Sequence, residues 1–194
     1  MSEVKASNVL TGAPDQLTTG PILSAPVGTP LPTDALDVLE EDFESSGYIS
    51  ADGMNLTPDR STEVIRDWSG AIIRSILNEF GAQIAWAHLE TNEQSLKNYF
   101  GDDNVTVTAA TATSGKQLAA RLKAEELPRK SWVFRIKDGD NRVLVVVPDG
   151  QVTETGEVAF TKSGAITWPC TMTTYPDASG THVYVYTDDG VFTA

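Results

Sequence analysis

Few residues in this chain have a type and spacing that could support chemistry: His88 and His182, Cys170, the triplet Ser114-Gly115-Lys116, and the run Asp138-Gly139-Asp140-Asn141-Arg142. Two histidines could ligate zinc, but neither stands in an HExxH, CxxC or His-rich spacing. The Ser-Gly-Lys triplet lacks the upstream glycine of a phosphate-binding loop and opens no convincing helix after a strand. The 138–142 run begins like a calcium loop, with oxygen ligands at alternate positions. Arg142 then occupies the fifth position and no Glu closes the loop at the twelfth, so a hairpin turn explains the run better. Cys170 follows Pro169 in an apolar stretch, where a thiol is ordinarily inert packing. No segment offers a nucleophile, a base and an orienting group that its spacing singles out. The expectation is a protein that is not an enzyme, with no metal and no cofactor.

If the chain does no chemistry, its composition must carry its function. The chain has 194 residues and a formal net charge of −13, which disfavours tight wrapping on nucleic acid or an anionic membrane. A single cysteine excludes an intramolecular disulfide, and no leader is expected at the N-terminus. The apolar runs, such as Val143 to Val147, are far shorter than a membrane span.

The pattern is mainly β. A β-sandwich or barrel of about ten short strands is expected, with one flanking helix over 91–101, TNEQSLKNYFG, read as capped by Thr91 and Gln94 and stopped at Gly101. Leu96, Tyr99 and Phe100 make its apolar stripe, and Glu93 pairs with Lys97. Asp52-Gly53 predicts a hairpin pairing YISA with MNLT, and Gly70 marks the turn of a projecting hairpin from Gly47 to Ile76. Strands are predicted at 83–89, 104–110, 131–136 and 142–147, where Pro148-Asp149-Gly150 should break the ladder, and at 157–161, 166–175 and 182–187. Residues 116–127 fit both a helix and period-two alternation; the strand assignment follows their neighbours. Each of the four tryptophans, Trp68, Trp86, Trp132 and Trp168, falls in a different predicted strand and is assigned to core rather than to a sugar-binding face.

Two organisational features stand out. Residues 1–45 read as an extended Pro-rich, acidic arm ahead of a β domain over 46–194, since five of ten prolines fall there. Its prolines limit it to edge pairings, and Ile22, Leu23, Val27 and Leu31 would anchor it on something else. The arm ends in an acidic run with Asp34, Asp37, Glu40, Glu41, Asp42 and Glu44, able to form one or two amphipathic helical turns. Eight of fourteen basic residues cluster between Lys116 and Arg142, among them Arg129 and Lys130. Opposed acidic and basic blocks suit head-to-tail contact between copies.

The order of the pieces carries a resemblance: GYISADGMNLTPDRSTEVIRDWSG at 47–70, the helix TNEQSLKNYFG, RVLVVVPDGQVTETGEVAF, and WPCTMTTYPDASGTHVYVYTDDG. Together they resemble the major tail proteins, or tail tube subunits, of long-tailed non-contractile bacteriophages, especially those infecting actinobacteria. The resemblance implies a subunit of a virion tail, assembled in the bacterial cytoplasm. Six copies would close into a ring, and stacked rings would form a tube with a continuous β-barrel wall. Viral DNA would pass through the lumen without specific binding, and the tape measure, tail terminator and distal tail or baseplate proteins would be partners. An acidic lining would keep DNA mobile, with Glu154 and Glu157 as lumen candidates. Contacts between subunits and rings would involve Ile22, Leu23, Val27, Leu31, Asp34, Asp37, Glu40, Glu41, Asp42, Arg66, Trp68, Arg129 and Lys130. The alternatives are a carbohydrate-binding β-sandwich and another virion part, such as a capsid decoration or tail terminator protein.

Overall fold

A computed structural model of the chain describes residues 4–15 and 20–192; the remainder of the arm, 1–3 and 16–19, lies outside it. The architecture is mainly β with one α-helix, as expected. The strands are β1 (Ile22–Pro26), β2 (Glu44–Ser45), β3 (Asn55–Arg66), β4 (Ile72–His88), β5 (Val105–Thr108), β6 (Gln117–Ala120), β7 (Arg129–Asp138), β8 (Asn141–Thr155), β9 (Trp168–Tyr175) and β10 (Tyr184–Asp188), with α1 (Glu93–Phe100) between β4 and β5. Eight strands form one antiparallel sheet in the order β2-β1-β7-β8-β9-β4-β3, and β10 pairs with β8; β5 and β6 pair apart. The sheet does not close into a barrel.

Strand β8 organises the molecule. One edge pairs with β7 along 141–151, while the other carries β10 along 142–146 and β9 along 149–155. Pro148 therefore does not break the ladder: it falls between the two partners, where a missing N–H is tolerated, and Ser131 Oγ donates to its carbonyl at 2.6 Å. Strands β1, β7 and β8 are buried on both faces, which is why they read as continuous apolar runs. One face packs Ile22, Trp132, Phe134, Val145 and Val147 against Ile84, Trp86, Cys170 and Met172. The other packs Leu23, Val133, Leu144 and Val146 beneath Phe43, with Leu31 and Leu39.

That second layer corrects the reading of the arm. Ile22–Pro26 is an interior strand, flanked by β2 and β7, rather than an edge pairing. The acidic run forms no helix: Leu39 and Phe43 cover the sheet from an irregular backbone, and Asp37 is occupied by the Thr33 and Asp34 amides and the Thr33 hydroxyl.

Other elements shift too. The helix cap is Asn92 with Ser95, one residue later than expected, and the Thr91 hydroxyl instead accepts from Trp168 Nε1 at 3.1 Å. Gly101 ends the helix at φ 98, and the Lys97–Glu93 pair forms at 2.9 Å. YISA and MNLT do not pair with each other. Both run along β4: Ser50 N donates to Ala87 O and Leu89 N to Tyr48 O, after which Asn55 pairs with Ala85. Residues 117–120 are a strand, but 121–128 are not. No strand forms at 157–161, because the β8–β9 ladder closes at Gly156 N to Pro169 O and the chain leaves the sheet.

Candidate interaction surface

The β3–β4 hairpin leaves the body after Gly81, and every residue from Asn55 to Phe80 is exposed. A two-stranded ribbon is at best marginally stable alone in water, so an exposed one of this length wants a partner. Its register defines two unlike faces. Leu56 pairs with Ile84, Pro58 with Ala82, Arg60 with Phe80, Thr62 with Leu77, and Arg66 with Ile72. Since Ile84 and Ala82 are buried, this face continues the core outward as an apolar strip of Phe80, Leu77, Val64 and Ile72. Arg60 lies over the Phe80 ring at 4.9 Å, on the same side.

The opposite face carries Thr57, Asp59, Ser61 and Glu63 on β3 and Gln83 and Glu79 on β4, with Ile65, Ile76 and Arg74 toward the tip. It runs on across the sheet. Gln83 pairs with Thr173, which pairs with Gln151, and Thr171 pairs with Glu154. The Thr153 and Thr173 hydroxyls meet at 2.9 Å. One side of the β8-β9-β4-β3 sheet is thus core, and the other is a threonine-rich surface with Glu154, Asp59, Glu63 and Glu79 along it.

Two irregularities produce this separation. Partners skip Asn78 between Ser61 and Thr62, and skip Ile73 between Ile65 and Arg66. At strict alternation Phe80, Asn78, Ile76 and Arg74 would share a face. The extra residue at Asn78 moves Leu77 onto the apolar side in place of Ile76, and the one at Ile73 returns the original alternation, so that Ile72 faces the apolar side again. Leu77 escaped the sequence reading for this reason, whereas Asp59, Glu63, Glu79 and Phe80 lie where plain alternation puts them, and the Thr-x-Asp-x-Ser-x-Glu alternation of β3 was a usable signal.

The expected contact residues are distributed unevenly. Ile22 and Leu23 are buried in the chain's own core, and Leu31 is partly buried. Val27 is 49% exposed, and Asp34, Glu40, Glu41 and Asp42 are exposed. Trp68 is fully exposed in the hairpin turn rather than in a strand, while Arg66 Nη1 donates to Gly70 O at 2.9 Å in the same turn. Arg129 donates two bonds to Asp149 and stacks on Tyr175 at 4.1 Å. Lys130 is buried and bonds Asp102 at 2.6 Å. Glu157 lies in the exposed loop after β8.

The groups that could have done chemistry are structural. His88 is buried and accepts Trp86 Nε1–H at Nε2 (2.8 Å); burial pulls its pKa down from 6.5 to about 3. Burial raises the Cys170 thiol to about 12. His182 packs on Phe80 edge to face, its ring nitrogen 3.1 Å from the Thr174 hydroxyl. Asp138 takes the Thr11 amide and turns the β7–β8 hairpin, with Gly139 at φ 61. Trp86, Trp132 and Trp168 are buried, so of the four tryptophans only Trp68 could face a ligand.

A family model described as phage tail tube protein matches residues 8–193. No curated protein sequence matches the chain. Among solved structures, a chain from the virion of a native gene transfer agent particle is 14% identical, with a TM-score of 0.40 over 72% of this chain and 88% of that one. A chain from the cap that terminates the tube of an anti-feeding prophage is 11% identical, with a TM-score of 0.45 over 96% and 97%.

Proposed function

The chain belongs to the phage tail tube protein family, and from that premise we propose that six copies close into a ring whose stacks form a conduit for the genome. It is a structural component of the virion tail. The observation that carries the finer reading is the two-faced hairpin. Its apolar strip is continuous with the core and needs covering, and an identical neighbour supplies the same chemistry to cover it. Joining hairpins edge to edge in this way would extend the β8-β9-β4-β3 sheet around a ring and turn its threonine and carboxylate surface inward.

An inward face with Glu154, Asp59, Glu63 and Glu79, and with Arg74 confined to the tip, repels phosphate instead of binding it. DNA would stay centred and move freely, and the tape measure protein would occupy the same lumen before ejection. Tail terminator and distal tail proteins would cap the two ends of the stack.

Negative-stain electron microscopy of the concentrated protein over a salt series tests the reading. Hollow tubes or six-fold rings are expected, if necessary after adding tail tips as seeds. Trimers would favour a capsid decoration role, and monomers that neither assemble nor extend seeds would overturn the proposal.

A further inference from the structure

The buried side of α1 is polar. Of the residues it hides, Gln94, Ser95, Leu96 and Asn98, only Leu96 is apolar. Lys130 reaches this side from β7 and is 7% exposed, an uncommon depth for an ammonium group. Two acceptors hold its amine: Asp102 Oδ1 at 2.6 Å, just past the end of the helix, and Asn98 Oδ1 at 3.3 Å. The Asn98 amide is itself buried and fixed at both atoms. Ser24 Oγ donates to its oxygen at 3.4 Å, and its Nδ2 donates to Ser46 Oγ at 2.9 Å. A buried amine touching both an amide carbonyl and a carboxylate brings together the parts of an acyl transfer: nucleophile, electrophile and proton carrier.

We propose that Lys130 and Asn98 join in an intramolecular isopeptide bond, which the folded chain makes for itself with Asp102 as proton carrier. Lys130 passes a proton to Asp102 across their contact, and the freed lone pair attacks Asn98 Cγ, one bond from the oxygen that the amine already touches. Ser24 Oγ–H lies on the oxygen that gathers charge during the attack. The Nζ–Cγ bond forms and the Cγ–Nδ2 bond breaks. Of the three Nζ protons, one stays on the new amide, one leaves with Nδ2 as ammonia, and the third passes to water through Asp102, whose side chain is 43% exposed. No oxidant or reductant is consumed. Ser24, Asp102 and Lys130 all line an open cleft beside α1, which gives ammonia its exit. The product ties α1 to β7 covalently. A chain with one cysteine cannot staple itself by a disulfide, whereas an amide crosslink holds in any redox state.

Mass spectrometry of the purified full chain tests the bond. The wild type should weigh about 17 Da less than its sequence, the mass of one ammonia. Trypsin should release one branched peptide joining 98–116 to 130–135, because a modified Lys130 is no longer cut. Lys130→Arg and Asn98→Ala should each weigh what their sequences give. Asp102→Asn keeps both bond partners; it should lower the bonded fraction of freshly purified protein roughly tenfold or more, with a thermal melt showing that it folds. A wild type at its full sequence mass would overturn the proposal. So would the same loss surviving in Lys130→Arg, since that marks an asparagine closing on its own backbone. An Asp102→Asn chain that folds and bonds as completely as wild type would remove Asp102 as the proton carrier.

Discussion

Burial holds the His88 ring neutral, with Nε2 accepting from Trp86 Nε1–H and Nδ1 buried and unpartnered. The folded ring takes a proton only near pH 3, whereas the unfolded chain takes one near 6.5. Between those values the unfolded state binds more protons, so stability falls as pH drops from 6.5 toward 3, by at most about 1.4 kcal/mol per pH unit from this group. Urea midpoints at pH 7, 5.5 and 4.5 measure the slope, and His88→Gln, which can still accept from Trp86, should flatten it. At Gly150 the limit is steric. A Cβ there would run into Met172 Sδ and stand 3.1 Å from Trp132 Cδ1, so Gly150→Ala should cost about 1–3 kcal/mol in chemical denaturation. These roles were only partly legible beforehand. Trp86, Trp132 and Trp168 could be assigned to core by type, but the Trp86–His88 bond depends on two side chains of one strand sharing its buried face.

At the level of elements, α1 and the hairpin behave oppositely. The helix is fixed by its ends: Asn92 accepts from Ser95 N, and its Nδ2 also donates to Ser46 O and Glu90. Asn92→Ala should lower stability by about 1 kcal/mol in a thermal melt. The hairpin contributes little to the monomer and, on the proposal above, much to the assembly. Ile72→Glu with Leu77→Glu should change monomer stability by no more than about 0.5 kcal/mol per site, yet abolish tubes in sedimentation. The helix, the β7–β8 hairpin and the projecting ribbon were all readable from caps, turn residues and period. The interior position of Ile22–Pro26 was not, because prolines at either end suggest an edge. Only the tertiary pairing reveals that Leu23 lies opposite both Val133 and Ser45. The faces of the ribbon were illegible for a different reason, since bulges at Asn78 and Ile73 leave no trace in composition.

For the whole molecule, net charge is the quantity that acts at a distance. At −13 per copy the assembled wall should ignore DNA, and a gel-shift assay at low salt should show no retention of duplex. Asp59→Lys, Glu63→Lys and Glu79→Lys together should create retention that weakens as salt rises, if those carboxylates face the lumen. The chain's one thiol adds a property of another kind. A virion outside its host meets dissolved oxygen with no reductant and no repair enzymes, so each reactive cysteine is a place where a particle can age. Cys170 stays protonated at any ordinary pH and is sealed beneath Trp86 and Met172. A wall built from many copies of this chain then has no exposed thiol among its described residues to crosslink or oxidise, and its shelf life is set by other chemistry.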